Sequence, residues 1–275
     1  MPKEVIVLIG SGAIGVAIAR RVSVGRELIL ADLKPEHAEK QAEELRAAGY
    51  RVHTTACDVS SRASIRAVAA LAASLGAVKG LINTAGVSPS QAPAALLFKV
   101  DLYGTAVLLE IFGDIIAPGG AAVMIGSQSA HRLEPLTPEQ NRELALTPCE
   151  ALLDLPYIKN ETDSLRAYQL SKRGNALRVA AAAVRWGQRG ARVNCISAGI
   201  IHTPLANDEL NGERKDFYRA MLAALPVGRG GTPDEIANLA ELLMSERGGY
   251  ITGSDILIDG GATAQYWWSE EGKGP

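Results

Sequence analysis

Cysteine is scarce in this chain: Cys57, Cys149 and Cys195 are odd in number, far apart and without C-x-x-C spacing. That pattern excludes a disulfide framework and a zinc knuckle, and it makes an intracellular, cytoplasmic protein the expectation, with no metal. Aromatic residues make up only 5% of the sequence, and no block of five or six like charges occurs. With a formal net charge of -2, neither a nucleic-acid surface nor a polybasic membrane patch is expected, and the partner is read as a small molecule. No apolar run reaches the ~18 residues of a membrane span. The opening MPKEVIVLIGSG carries a short apolar run before a glycine loop and no cleavage-site pattern. Gly/Ser-rich or Pro-rich linkers and internal repeats are also missing, so residues 1–275 read as a single domain.

What is present is alternation. Short apolar runs stand at 5–9, 27–31, 51–56, 78–83, 121–126, 192–197 and 255–259, with helix-period segments between them. This order predicts βαβ units and a doubly wound α/β fold, a parallel sheet with helices on both faces. One helix, PEHAEKQAEELRAAG, opens with Pro35 in its first turn and stops at Gly49. The stretch 131–165 breaks the rhythm with Pro135, Pro138, Pro148 and Pro156 and reads as an insert over the surface or the cleft.

The first strand runs into Gly10-x-Gly12-x-x-Gly15 and then an apolar-periodic helix. A tight turn, close approach of backbone to a pyrophosphate, and close helix-to-strand packing each call for one of these glycines. Asp32 ends the second strand, where a carboxylate accepts hydrogen bonds from ribose hydroxyls and repels a 2′-phosphate, so NAD is expected over NADP. The plain alternatives are a glycine turn that binds nothing and a helix-start charge before Pro35.

The segment AYQLSK spaces Tyr168 and Lys172 four apart, on one face of a helix. A phenol beside an ammonium is drawn toward phenolate and becomes a usable proton acceptor or donor near neutral pH. Tyr-x-x-x-Lys also arises by chance, and it is its company that gives it weight.

With the glycine loop and Asp32 stand CDVS at 57–60, NTAG at 83–86, IGSQS at 125–129, YQLSK at 168–172, VNCISAGIIHTP at 193–204, GRGGTPDEIA at 228–237 and GSDILIDGG at 253–261. On these motifs the chain resembles the short-chain dehydrogenases/reductases over nearly its whole length. The resemblance implies a Rossmann-type sheet of seven parallel strands, a nicotinamide cofactor and reversible oxidation of a hydroxyl to a carbonyl. It implies Tyr168 as acid/base, Lys172 as its electrostatic helper and ribose ligand, and Ser127 as the hydroxyl holding the substrate oxygen, with Ser129 as the fallback. Further cofactor contacts implied are Gly10, Gly12, Ile14 and Gly15 in the loop, Asp32 with Leu33, Asp58 and Val59 at the adenine, Asn83, Ala85 and Gly86 at the ribose and backbone, and Ile201 with Thr203 at the carboxamide. Homodimers or homotetramers built on the catalytic helix are implied as well.

The chain departs from the family in four places. The glycine loop is one residue shorter than the usual T-G-x-x-x-G-x-G. Asp101, in VDLYGT, stands where the family usually has an asparagine that helps hold a water beside the lysine; it keeps the catalytic position but brings charge. Ala198-Gly199 replaces Pro-Gly. Ser127 and Tyr168 are also much farther apart than usual, a layout similar to that of bacterial 3α-hydroxysteroid dehydrogenase/carbonyl reductases. His202 reads as a packed or solvated bystander, with ligand contact as the alternative, and His131 is a weaker candidate; the YWW cluster at 266–268 reads as core or subunit interface, with the wall of a hydrophobic substrate pocket as the alternative. The expected function is an NAD(H)-dependent alcohol dehydrogenase or ketone reductase. Its rival is an NAD-binding regulatory or scaffold protein without turnover.

Overall fold

The computed structural model describes residues 3–204 and 215–270. Seven strands form one sheet: β1 (Glu4–Ile9), β2 (Glu27–Asp32), β3 (Arg51–Ala56), β4 (Ala77–Asn83), β5 (Ile116–Ser127), β6 (Arg192–Ala198) and β7 (Asp255–Ile258). Their spatial order is β3-β2-β1-β4-β5-β6-β7, every pair parallel. The chain reverses its direction of travel across the sheet between β1 and β4, and this is where an open α/β sheet leaves a crevice beyond its carboxyl ends. All seven strands expected from the apolar runs are present, and β5 starts five residues earlier than its run, at Ile116.

Alternate side chains of each buried strand point to opposite faces, so the sheet makes two cores. One face takes α1 (Ala13–Val22), α2 (Pro35–Ala47) and the later helix Pro233–Met244, which bury Val16, Ile18, Ala42, Leu45, Ile236 and Leu243 against Ile6, Leu8 and Leu28. The other takes α3 (Arg62–Leu75), a composite helix, and the long helix Ser164–Gln188. The composite helix runs through α4 (Ala94–Leu97), a π-helical turn (Phe98–Tyr103) and α5 (Gly104–Ile115).

The prolines that interrupt the periodicity at 131–165 start helices. Pro138 opens α6 (Pro138–Leu146) behind a Thr137–Gln140 capping box, Pro148 precedes α7 (Cys149–Leu152), and Pro156 opens α8 (Pro156–Lys159). These helices lie along α5 and α9 (Ser164–Gln188), burying Leu144, Leu152 and Ile158 in the same core. Arg178 of α9, itself buried, donates to the carbonyls of Leu144 at 2.9 Å and Thr147 at 3.0 Å, while Cys149 Sγ reaches Glu110 of α5 at 3.2 Å. The insert thus clads α9. The remaining helices are α10 (Lys215–Ala223), α11 (Pro233–Met244) and α12 (Ala262–Trp268). Among the described residues no helix is long and apolar enough to cross a membrane.

Truncating Arg178 strips two buried carbonyls of their donor. Arg178→Ala is therefore expected to cost about 2–3 kcal/mol in urea unfolding, whereas Arg142→Ala on exposed α6 surface changes stability by less than about 0.5 kcal/mol. Equal effects would show that the insert is not clamped through Arg178.

Candidate active site

The crevice begins at the glycine loop. Gly10 has φ +87°, and a Cβ there would lie 2.7 Å from Ala85 N, so only glycine passes between the ends of β1 and β4. A Cβ on Gly15 would meet the Gly10 carbonyl, Leu8 and Thr84 at 2.7 Å, which fixes α1 tightly on β1. Gly12, by contrast, has no neighbour within 4 Å of its would-be Cβ and caps α1 without a side-chain hydrogen bond. No acidic residue stands in that first turn, so the free N–H groups at the start of α1 face an open cradle suited to a pyrophosphate. Asp32 is turned toward the loop: its Oδ2 accepts from Ser11 N at 2.8 Å and Ser11 Oγ at 2.7 Å, and its Oδ1 from Lys34 N at 3.0 Å. The carboxylate is thus fixed at the rim of the cradle. Leu33 beside it is 67% exposed, an apolar surface available to an adenine. These residues fit a nicotinamide dinucleotide.

Farther along, the remaining residues implied by the resemblance divide. Asp58 accepts from Ser60 N at 2.9 Å and Ser60 Oγ at 2.7 Å, shaping the turn after β3, and Val59 is buried beneath Gly104. Asn83 uses its amide internally: it donates to Thr105 Oγ1 at 3.2 Å and accepts from Ala85 N at 3.2 Å, so it shapes the Ala85–Gly86 turn. Ile201 is buried at the β6 exit and pairs with Gly231, with Thr203 two residues on. Exposed His202 packs its ring against Gly230.

The densest chemistry lies where the π-helical turn meets α9. The wide turn carries Asp101 inward to complete burial. Its Oδ1 accepts from Val87 N at 2.9 Å, and its Oδ2 lies 3.6 Å from Lys172 Nζ, otherwise without a hydrogen-bond partner. Lys172 Nζ stands 5.3 Å from the centre of the Tyr168 ring, one helical turn back. Gly86 lets them meet: a Cβ there would sit 3.1 Å from Asp101 Oδ1 and 3.2 Å from Lys172 Nζ. Burial works against the charge on Lys172, but the carboxylate of Asp101 and the oxygen of Tyr168 outweigh it and raise the ammonium above its ordinary value. Burial likewise pushes Asp101 up, against the pull of Lys172.

Ser127 ends β5 and turns the chain into the 3-10 helix Gln128–Arg132, its Oγ accepting from Ser129 N at 3.2 Å. This turn packs on α9. It also carries His131 and Arg132, whose contacts reach β7 and the C-terminal helix. His131 Nε2 lies 3.1 Å from Asp255 Oδ2 on β7, Ser197 Oγ donates to Asp255 Oδ1 at 2.7 Å, and Trp267 donates to the His131 carbonyl at 2.9 Å. The YWW cluster therefore braces the turn after Ser127 through Tyr266 and Trp267, leaving Trp268 70% exposed.

A parallel sheet with a glycine-lined crevice and a Tyr–Lys pair at its carboxyl end defines a dinucleotide-dependent α/β enzyme. A family profile described as enoyl-(acyl carrier protein) reductase matches residues 10–139 and 155–263, leaving out part of the insert. A short-chain dehydrogenase/reductase of Alternaria brassicicola is 35% identical over 96% of this chain and 97% of that protein. The 3-alpha-hydroxysteroid dehydrogenase/carbonyl reductase of Comamonas testosteroni is 32% identical over 67% of this chain and 72% of its own. A solved short-chain dehydrogenase/reductase from Serratia marcescens superposes with a TM-score of 0.75 at 23% identity, covering 95% of this chain and 98% of that one, and shows the shared fold. The chain belongs to the short-chain dehydrogenase/reductase family, enzymes that act on alcohols and ketones with a nicotinamide cofactor.

Replacing Asp101 by the family's usual asparagine keeps the acceptor for Val87 N and removes the carboxylate that raises Lys172. The lysine then loses its proton at lower pH, so the alkaline limb of the pH–rate profile of Asp101→Asn is expected to move to lower pH. An unmoved alkaline limb would mean that Asp101 does not set the charge of Lys172.

Proposed function

We propose that this protein is an NAD(H)-dependent oxidoreductase interconverting a secondary alcohol and a ketone, acting as one dinucleotide-binding unit. One observation carries the proposal: a buried ammonium, charge-balanced by Asp101 at 3.6 Å, is held 5.3 Å from the Tyr168 ring at the crevice end. Bound in the crevice, the nicotinamide supplies the acceptor or donor of hydride. In the oxidation direction Tyr168, as phenolate, takes the hydroxyl proton while the carbinol carbon gives up its hydride. Lys172 favours the phenolate and donates to ribose hydroxyls with the hydrogens that its pairing with Asp101, at 3.6 Å, leaves over. Ser127 donates its hydroxyl hydrogen to the substrate oxygen, since its lone pair already accepts from Ser129 N. Reduction reverses each step.

The choice of NAD rests on Asp32. Ser11 and Lys34 N hold its carboxylate where a 2′-phosphate would sit, and like charge disfavours NADP. Gly10, Gly12, Ile14 and Gly15 would take the pyrophosphate, Ala85 and Gly86 the ribose side, and Ile201 with Thr203 the carboxamide. A cytoplasmic homodimer or homotetramer completes the proposal. Ala180 and Val184 of α9 remain exposed beyond the insert for such a contact.

A panel of secondary alcohols incubated with NAD and followed by NADH absorbance tests the reading. Turnover of an alcohol is expected. NAD binding without turnover across the panel would instead favour a regulatory or scaffold protein. For cofactor choice, Asp32→Ala is expected to raise NADP use relative to NAD by at least about tenfold, and equal use of both cofactors by the wild type would contradict the assignment.

A further inference from the structure

Among the described residues, Arg132 is a cation without a paired anion. The other enclosed basic side chains are compensated: Lys172 by Asp101, Arg62 by Glu110 at 2.6 Å and Glu150 at 2.5 Å, Arg178 and Arg192 by several carbonyl oxygens each. Arg132 has no carboxylate within ion-pair distance among the described residues. Its Nη2 donates to Gln128 Oε1 at 3.1 Å, its Nη1 faces the Met221 sulfur at 3.1 Å, and its Nε is enclosed without any partner. A thioether is a weak acceptor. The guanidinium lies 5.2 Å from the centre of the Tyr266 ring. The carboxylate that acts on it from farther away, Asp259, already accepts from Gly261 N at 2.9 Å and Thr263 N at 2.7 Å. A largely enclosed charge with so little compensation is costly, and proteins keep such a charge where a ligand completes it.

Its place says which ligand. Arg132 ends the 3-10 turn that starts at Ser127, and its neighbours come from α10, which follows the Ile201–Thr203 segment, and from α12, which follows β7. All three lie beyond the carboxyl ends of β5, β6 and β7, the substrate end of the crevice. The turn is also rigidly mounted, with His131 paired to Asp255 and its carbonyl held by Trp267. A 3-10 turn rises about 2 Å per residue, so Arg132 stands roughly 10 Å along the chain from Ser127.

We propose that Arg132 is an anchor for an anionic group of the substrate, so that the alcohol or ketone taken by this site carries a carboxylate or similar oxyanion several bonds from the reacting carbon. The proposal rests on the oxidoreductase reading above. Gln128 orients the guanidinium, and Nη1, paired with nothing better than sulfur, is the donor that turns to the anion.

The test compares 6-hydroxyheptanoate with its methyl ester, equal in carbon skeleton around the secondary alcohol and different in charge. With saturating NAD, kcat/KM for the acid should exceed that for the ester by about 10- to 100-fold, chiefly through KM. In Arg132→Gln that ratio should fall to near one, and in Arg132→Lys it should lie between. Calorimetric binding of heptanoate and methyl heptanoate to the NADH complex gives the same comparison without turnover, and circular dichroism checks that each variant is folded. Equal treatment of acid and ester by the wild type, or an unchanged ratio in folded Arg132→Gln, overturns the anchor. Preferential heptanoate binding lost in Arg132→Gln, with no alcohol oxidised, upholds the anchor and refutes the oxidoreductase reading.

Discussion

An ammonium group that is almost wholly removed from water needs a reason to stay charged, and in this protein Asp101 supplies it. The demand reaches well beyond the two side chains. The helix that carries Asp101 widens into a π-helical turn to bring the carboxylate inward, and Gly86 must lack a side chain for the charges to approach. Val87 N takes the carboxylate oxygen that faces away from the lysine. Helix α9 then has to be held at one depth and rotation, which its clamp to the insert through Arg178 provides. Fold and chemistry meet in one constraint: a lysine kept charged beside a tyrosine ring.

Asparagine in place of Asp101 would satisfy Val87 N equally well but leave the ammonium unbalanced. The aspartate therefore changes the electrostatics of the site while preserving its hydrogen-bond frame. Its charge stabilises the lysine as a cation and, by the same Coulomb interaction, tempers how strongly that cation acts on Tyr168. A site of this kind is tuned by the balance of three groups.

Much of this was legible in the sequence, for physical reasons. The strands are short apolar runs because a parallel sheet is buried on both faces, and the glycine loop is recognisable because its backbone leaves no room for Cβ atoms at Gly10 and Gly15. Tyr168 and Lys172 share a helix face by their spacing, and the surrounding motifs give that pair its weight. Other features were hidden because they depend on contacts distant in sequence. Asn83 is expected at the ribose from its motif, whereas its amide contacts with Thr105 and Ala85 are set by the packing of α5 on β4, which the sequence does not display. Pro138, Pro148 and Pro156 stand at the starts of three short helices, and that these clad α5 and α9 rests on contacts the sequence does not display. Arg132 gave no signal, and the pairing of His131 was hidden, since their partners on α10, α12 and β7 lie about 90 to 135 residues away.

The decisive measurement is single-turnover hydride transfer in Tyr168→Phe, alongside NADH binding by the same variant. If Lys172 and Asp101 exist to make the Tyr168 hydroxyl a proton carrier, the variant binds NADH as the wild type does and transfers hydride about 10²–10⁴-fold more slowly. Hydride transfer at the wild-type rate would show that the buried ion pair serves structure alone.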